Sequence, residues 1–546
     1  MRGRTRALAA ALITSVALLA TACQGGGGTV AGGEGGTKAI SIRGCTPENP
    51  LIPGATSEVC GGNIIDAFTA KLIHYNADTA APEMDIAESI ESDDNTTFTV
   101  KLKQGYMFQD GTEVKAHNFV DAWNYTMYGP NGQAGSYFYN AVEGFEDLQC
   151  GAGEDGQPDC DANPPKAEEA TGLEVVDDYT FTITTKQPVS NLPVRLGYSA
   201  FAPLPDSFFD DPKAFEDNPI GAGPFKVTEI DETKIVLEKF EDYAGEYKPF
   251  VDEVTFRIYT NDATAYNDVV ANNLDITDVI PTANLQGDLY KTDLPDRNGL
   301  KETGNLTWLT FSPVDDQFTD NKDLRHAISM AVDREEITKQ IFAGTATPAD
   351  TWVSPAVDGY KPGTCGEFCT FDPEKAKQLY EKSGGYDGTL VLTVNNNGSN
   401  KDYAEAICNQ LKNTLGIDCR PNVLVDFATF NKKIDADELK GIFRSGWQMD
   451  YPSIENFLTP IYVKGADSNW SKYDNPEFQK VLNEAAAQDT GEAANAKYQE
   501  AEAILAEDFP TAPLWYEATA FGWSDNVTDV KLNAFGVIDL TQVKMA

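Results

Sequence analysis

The side chains best equipped for covalent or metal chemistry are the nine cysteines. Cys23 stands alone near the start. The other eight fall into close pairs: Cys45 with Cys60, Cys150 with Cys160, Cys365 with Cys369, and Cys408 with Cys419. Disulfides between sequence neighbours are the simplest of the many pairings open to eight thiols, and they require an oxidising compartment. The competing reading is a metal site, because Cys365-Gly-Glu-Phe-Cys369 has ligand-like spacing. No second Cys or His pair accompanies it, so no metal is expected. His74, His117 and His326 are scattered, and His326 falls inside an amphipathic segment, which suits surface or core positions better than ligands or bases. The chain has no G-x-x-x-x-G-K-[ST], no H-E-x-x-H and no G-x-S-x-G. Gly221-Ala222-Gly223 is half a dinucleotide fingerprint, but Pro224 breaks the helix start it would need. Carboxylate pairs for glycoside chemistry arise by chance among 85 acids and single out nothing. No cofactor is implied, and the expectation is a binding protein rather than an enzyme.

The elements that must position such a site begin with an export signal. Arg2, Arg4 and Arg6 precede the apolar run Ala7–Ala20, followed by Thr21-Ala22-Cys23. The run is shorter than the roughly 20 residues that span a bilayer, and it reads as a secretory leader over 1–22. Leu19-Ala20-Thr21-Ala22-Cys23 resembles a lipobox, with Ala20 where Leu is usual, so Cys23 is the expected lipid anchor. Residues 23–37 include QGGGGTVAGGEGG, a flexible tether with nothing to pack. The expected location is the outer face of the cytoplasmic membrane, in the cell envelope or periplasmic space, with the membrane reached by the lipid alone.

Beyond the tether, the 546-residue chain carries 42 Lys and Arg against 85 Asp and Glu, a formal charge of −43. So acidic a body lacks the basic footprint of a nucleic-acid binder. Hydrophobic residues make up 41%, enough for several cores. Strands and helices interleave. Phe98/Val100/Leu102, Tyr179/Phe181/Ile183, Ile235/Leu237 and Val254/Phe256/Ile258 alternate as half-buried strands, while Leu390–Val394 is apolar enough to be covered on both faces. Leu324, Ile328, Ala331, Val332, Ile337 and Ile341 recur at helical spacing. Asp372-Pro373-Glu374 and Asn475-Pro476-Glu477 read as helix starts, and Gly384-Gly385 as a helix end. Cys150–Ala170 reads as a solvated insertion closed by its own disulfide.

Five stretches in order resemble the large oligopeptide/dipeptide-binding family of extracellular solute-binding proteins that serve ABC importers. They are FTVKLKQGYMFQDGTEVKAHNFVDAW, NPIGAGPF at 218–225, LRHAISMAVDR at 324–334, FDPEKAKQLYEKSGG, and Asp508-Phe-Pro510 with Pro513-Leu514. The resemblance implies an α/β, two-lobed periplasmic-binding-protein-like fold of type II, with a hinge and an extra third domain. By analogy lobe I is 38–76, 171–304 and 509–546, the extra domain is 77–170, and lobe II is 305–508. It also implies a peptide or similar small solute as ligand, ABC permease subunits as partners, and a monomer.

Arg444-Ser-Gly446-Trp447-Gln-Met-Asp450-Tyr451 resembles the R-x-G-W-x-x-D-Y stretch of peptide-binding members. Carried over, Asp450 pairs with the ligand's α-ammonium, Arg444 meets a ligand carboxylate, and Trp447, Tyr451 and Gly446 shape the pocket. Pro-Ser-Ile-Glu455 follows where many relatives place an acid and a second Pro. The alternatives are the same fold carrying an oligosaccharide or a metal chelate, or an exported glycoside hydrolase. Scarce histidine disfavours the chelate, and 22 Tyr with 7 Trp keep the sugar reading open.

Overall fold

The computed structural model describes residues 37–546 apart from 57, 154–157, 397, 467 and the side chain of 428. The leader, Cys23 and the tether to 36 lie outside the described residues. Among the described residues no helix is long and apolar enough to cross a membrane.

A mixed sheet forms the frame. Its strands run in the order Asp418–Leu424, Thr389–Asn395, Ile442–Gln448, Asn298–Phe311, Thr511–Trp523, Ile276–Thr277, Ala39–Gly44, Glu253–Ile258, Lys234–Lys239, Phe225–Ile230. Two of these strands are unusually long and serve both lobes. Asn298–Glu302 pairs with Ala518–Gly522 on the lobe I side, and Leu306–Thr310 pairs with Thr511–Tyr516 on the lobe II side. The register shifts between Glu302 and Leu306, so both strands bend where they pass from one lobe to the other. The loop after Ile442–Gln448 is tied to this bend: the Met449 N–H donates to the Gly304 carbonyl at 2.8 Å.

The extra domain is a four-stranded antiparallel sheet, Ala87–Glu91, Thr97–Leu102, Thr180–Thr184 and Leu173–Asp177 in spatial order. Two pairings cross the limits expected by analogy. Thr180–Thr184, placed by analogy in lobe I, pairs along the whole of Thr97–Lys101 and sets Phe181 against Phe119 and Trp123. Thr511–Tyr516, likewise placed in lobe I, pairs with Leu306–Thr310 of the segment placed in lobe II. In both places cross-strand pairing between segments far apart in sequence decides membership, and no local pattern reports that.

Each lobe has its own apolar core. That of lobe II gathers Trp352, Tyr403, Phe478 and Phe509, that of lobe I Ile40, Phe68, Leu237 and Phe256, and that of the extra domain Phe98, Phe108, Trp123 and Phe181. Local signals are placed as expected. The Asp372 carboxylate caps Pro373–Ser383 by accepting from Lys375 N–H at 3.0 Å, and Gly384 ends that helix at φ 89°. Asn475 caps Pro476–Ala486. The expected run 324–341 is two helices, Lys322–Met330 and Arg334–Gln340, because the Asp333 side chain caps the second.

All four disulfides join sequence neighbours. Cys45 is bonded to Cys60, which ties the end of strand Ala39–Gly44 to the first turn of helix Val59–Phe68. Cys150 is bonded to Cys160 and closes its insertion. Cys365 is bonded to Cys369 across one short 3-10 turn, so its ligand-like spacing serves a disulfide and not a metal. Cys408 is bonded to Cys419 and fastens helix Asn400–Leu415 to strand Asp418–Leu424. Gly221-Ala222-Gly223 is structural: a Cβ on Gly221 would lie 2.1 Å from the Phe68 carbonyl oxygen, and one on Gly223 2.5 Å from that of Thr69.

Candidate functional site

Strand Ile442–Gln448 pairs with Asn305–Phe311 and ends where the long strands bend. Side chains along a strand alternate faces, so Arg444 and Gly446 share one face while Ser445 and Trp447 share the other. Trp447 lines a large cavity of about 770 Å³ between the lobes. Arg444 and Gly446 line neither this cavity nor the smaller one beside it. A Cβ on Gly446 would lie 3.2 Å from Arg444 Nη2, so the glycine leaves room for the guanidinium on the opposite face.

Asp450 sits in the loop just past the strand. It lines both the large cavity and the adjoining one of about 240 Å³, and Tyr137 lies at the same junction. The smaller cavity is walled by Tyr75, Tyr198, Met449 and Phe535, with Lys71 and His74 farther along. Asp450 is anchored at both its backbone and its side chain by Asn456. The Asp450 N–H donates to Asn456 Oδ1 at 2.8 Å, and Asn456 Nδ2 donates to Asp450 Oδ2 at 3.0 Å. Trp447 Nε1 donates to the same Asn456 Oδ1 at 3.0 Å. Burial pushes the Asp450 carboxyl up to about 6; the Asn456 bond and Arg195 oppose that push, and Glu455 adds to it.

Tyr451 is buried, its hydroxyl donating to Glu455 Oε2 at 2.7 Å and its ring lying 5.0 Å beneath the Arg195 guanidinium. Arg195, from the opposite wall, pairs with Glu455 at 3.2 Å, and Asn191 Nδ2 donates to Glu455 at 2.8 Å and to Ser453 at 3.3 Å. Burial pushes the Glu455 carboxyl up, yet Arg195 and the donated bonds prevail and hold it below the usual glutamate range. The site thus has an enclosed carboxylate with its outer edge facing open space, aromatic walls, and a neutralised ion pair beside it. Such a place suits a small cationic group attached to a longer, partly apolar body.

The profile of the bacterial extracellular solute-binding proteins, family 5 (middle region), matches residues 81–469. The chain belongs to that family. As a family-5 solute-binding protein it is 24% identical over 551 residues to the oligopeptide-binding protein OppA of Bacillus subtilis, covering 95% of this chain and 96% of that one. Its fold is that of the murein tripeptide-binding protein MppA in an unliganded open form, with a TM-score of 0.79 at 21% identity over 93% of this chain and 97% of that one. It is likewise that of Haemophilus influenzae OppA in complex with RPPGFSPFR, with a TM-score of 0.70 at 22% identity over 93% and 99%. The two-lobed α/β fold expected from the sequence is the fold of this family.

Of the residues singled out in the sequence, the structure brings Trp447, Asp450 and Tyr451 to one cleft and leaves Arg444 and Gly446 outside its lining. Sequence reasoning misses Asn456, Arg195, Asn191, Tyr137 and Tyr198. Glu455 stands out in the sequence only as a departure from the family pattern. Its position five residues after Asp450 is the one available signal; the others are single residues, most of them far away in the chain. Of the histidines, His74 lines the smaller cavity, whereas His326 stacks at 3.6 Å on Phe368 in the lobe II core and burial pushes it down to about 4.

Proposed function

We propose that this chain captures peptides outside the cytoplasmic membrane, tethered there by a lipid on Cys23, and delivers them as a monomer to the permease of an ABC importer. The observation that carries the peptide reading is Asp450: a carboxylate enclosed at the junction of two inter-lobe cavities, with hydrogen-bond capacity left toward the open space. In its ionised form it pairs with a free α-ammonium, a charge-assisted contact strengthened by the enclosed setting. The aromatic walls take apolar side chains, and the size of the large cavity leaves room for side chains of differing size. The relatives that bind oligopeptides support the same reading. Arg444 has no part in it, since its strand face turns away from the cleft.

The test is to denature the purified protein and identify the released small molecules by mass spectrometry. Peptides with free N-termini are expected; a bound saccharide or chelate and no peptide would contradict the proposal. Replacing Cys23 with Ser tests the anchor, and the variant is expected to leave the membrane fraction.

A further inference from the structure

Asn456 lines the large cavity but is almost wholly covered. It is 1% exposed, on the short 3-10 turn Ile454–Phe457 that Ser453 caps from its side chain. The orientation of its amide is dictated by its neighbours. The Trp447 indole N–H and the Asp450 backbone N–H can only donate, so both require Oδ1, and Nδ2 is thereby turned toward the Asp450 carboxylate. One side chain thus fixes the loop, a wall of the large cavity and the carboxylate together.

We propose that Asn456 is a positioning residue for ligand-amine recognition, its Nδ2 holding Asp450 in the rotamer and ionised state that receive the ammonium. The inference rests on the peptide reading above and adds to it a residue that acts through Asp450. The physical case is that an enclosed carboxylate needs a donor to stay charged. Burial drives Asp450 toward the neutral acid, and the bond from Asn456 is the main force against it. A neutral Asp450 offers an ammonium only a weak acceptor.

Several other titratable groups share the space. Glu455 and Tyr451 lie on the same loop. Arg195 lines the large cavity with Asp450, Tyr75 and Tyr198 line the smaller one, and Tyr137 lines both. Glu58, Asp66, Lys71 and His74 line the smaller cavity. A pH profile of binding alone would mix them, but comparing a peptide with its N-acetylated twin isolates the group that reads the amine.

The decisive variant is Asn456→Asp. It keeps both acceptor bonds, to the indole and to the Asp450 N–H, and replaces the donor with a second carboxyl group. Calorimetry on the full chain with one free-amine peptide and its N-acetylated form is run from pH 5 to pH 8. The parent is expected to prefer the free amine and to lose that preference as pH falls through about 6. Asn456→Asp is expected to weaken free-amine binding about ten- to hundredfold. Acetylated binding should stay within about twofold of the parent, and the pH at which the preference is lost should rise. Asn456→Ser, whose shorter side chain withdraws the amide donor and acceptor together without adding charge, is expected to move in the same direction by less. Equal losses for both peptides would reduce Asn456 to a scaffold residue and overturn the proposal. So would an unchanged pH midpoint. A parent with no preference for the free amine would instead sink the peptide-amine reading itself, and the proposal with it.

Discussion

Two buried glutamates, one where the lobes meet and one inside lobe II, have opposite fates. Glu455 is 4% exposed and receives bonds from Arg195, Asn191 and Tyr451. Glu502 is 0% exposed and receives them from the Thr351 hydroxyl, the Trp352 N–H at 3.0 Å and the Thr364 hydroxyl at 3.4 Å, with no cation paired to it among the described residues. Burial pushes both upward. Arg195 and the donors reverse the push at Glu455, whereas the donors at Glu502 offset it only in part and its carboxyl is pushed up to about 8. At the lobe junction a full ion pair spans from Arg195 to Glu455 beside the Asp450 carboxylate, while lobe II uses a carboxyl group as a hydrogen-bonding plug. Asp450, pushed up to about 6, stands between the two.

The largest effect is expected from breaking the ion pair. Glu455→Ala leaves the Arg195 guanidinium, whose side chain is 15% exposed, without its counter-charge. Losing one partner of a buried pair costs about 3–5 kcal/mol. Urea unfolding should show an earlier midpoint, or small-angle scattering a larger radius if the lobes part first. A parent-like midpoint and radius together would show that the pair holds nothing together. The double change Arg195→Met with Glu455→Leu should recover most of the loss, since it removes both charges.

Glu502→Ala is expected to cost less, about 1–3 kcal/mol, because it strands hydrogen-bond donors and no charge. Glu502→Gln sharpens the contrast through pH. A carboxyl raised in the folded state contributes stability that is full below the ordinary glutamate range and is lost as pH rises through about 8. Glutamine does not titrate, so the variant should gain on the parent between pH 5 and pH 9. Glu455 has the opposite sign: its contribution is present above the ordinary glutamate range and is lost as pH falls. Parallel stability profiles for parent and Glu502→Gln would mean that Glu502 is charged in the folded protein. At the small end, Lys480→Ala, which breaks exposed contacts to Glu477 at 3.0 Å and Glu484 at 3.7 Å, should leave the urea midpoint unchanged.

What the sequence disclosed was local. The caps at Asp372 and Asn475, the alternation in Phe98/Val100/Leu102 and the four neighbour disulfides, from Cys45 with Cys60 to Cys408 with Cys419, need only nearby residues, and each is readable from spacing. What it hid was assembled over distance. Arg195 and Glu455 are 260 positions apart. The pairing of Thr97–Leu102 with Thr180–Thr184 spans the whole insertion and crosses the limit drawn at 170 by analogy. The site was half legible for the same reason. A short motif placed Asp450, Trp447 and Tyr451 together. It also placed Arg444 with them, although strand alternation puts Arg444 on the other face from Trp447. Register parity separates these residues once 442–448 is taken as a strand. Asn456 carried no such mark, because an asparagine takes its role here only through the three groups that converge on it.

Asp450 is the group proposed to read a free peptide amine. Calorimetry of the parent and Asp450→Ala with one peptide and its N-acetylated form tests it most directly. Removing one member of an enclosed charged contact costs roughly 2–5 kcal/mol, about thirtyfold or more in affinity. The free peptide should lose that much, while the acetylated form, weak on the parent, should change little. Equal losses for the two peptides, or none for either, would contradict the account.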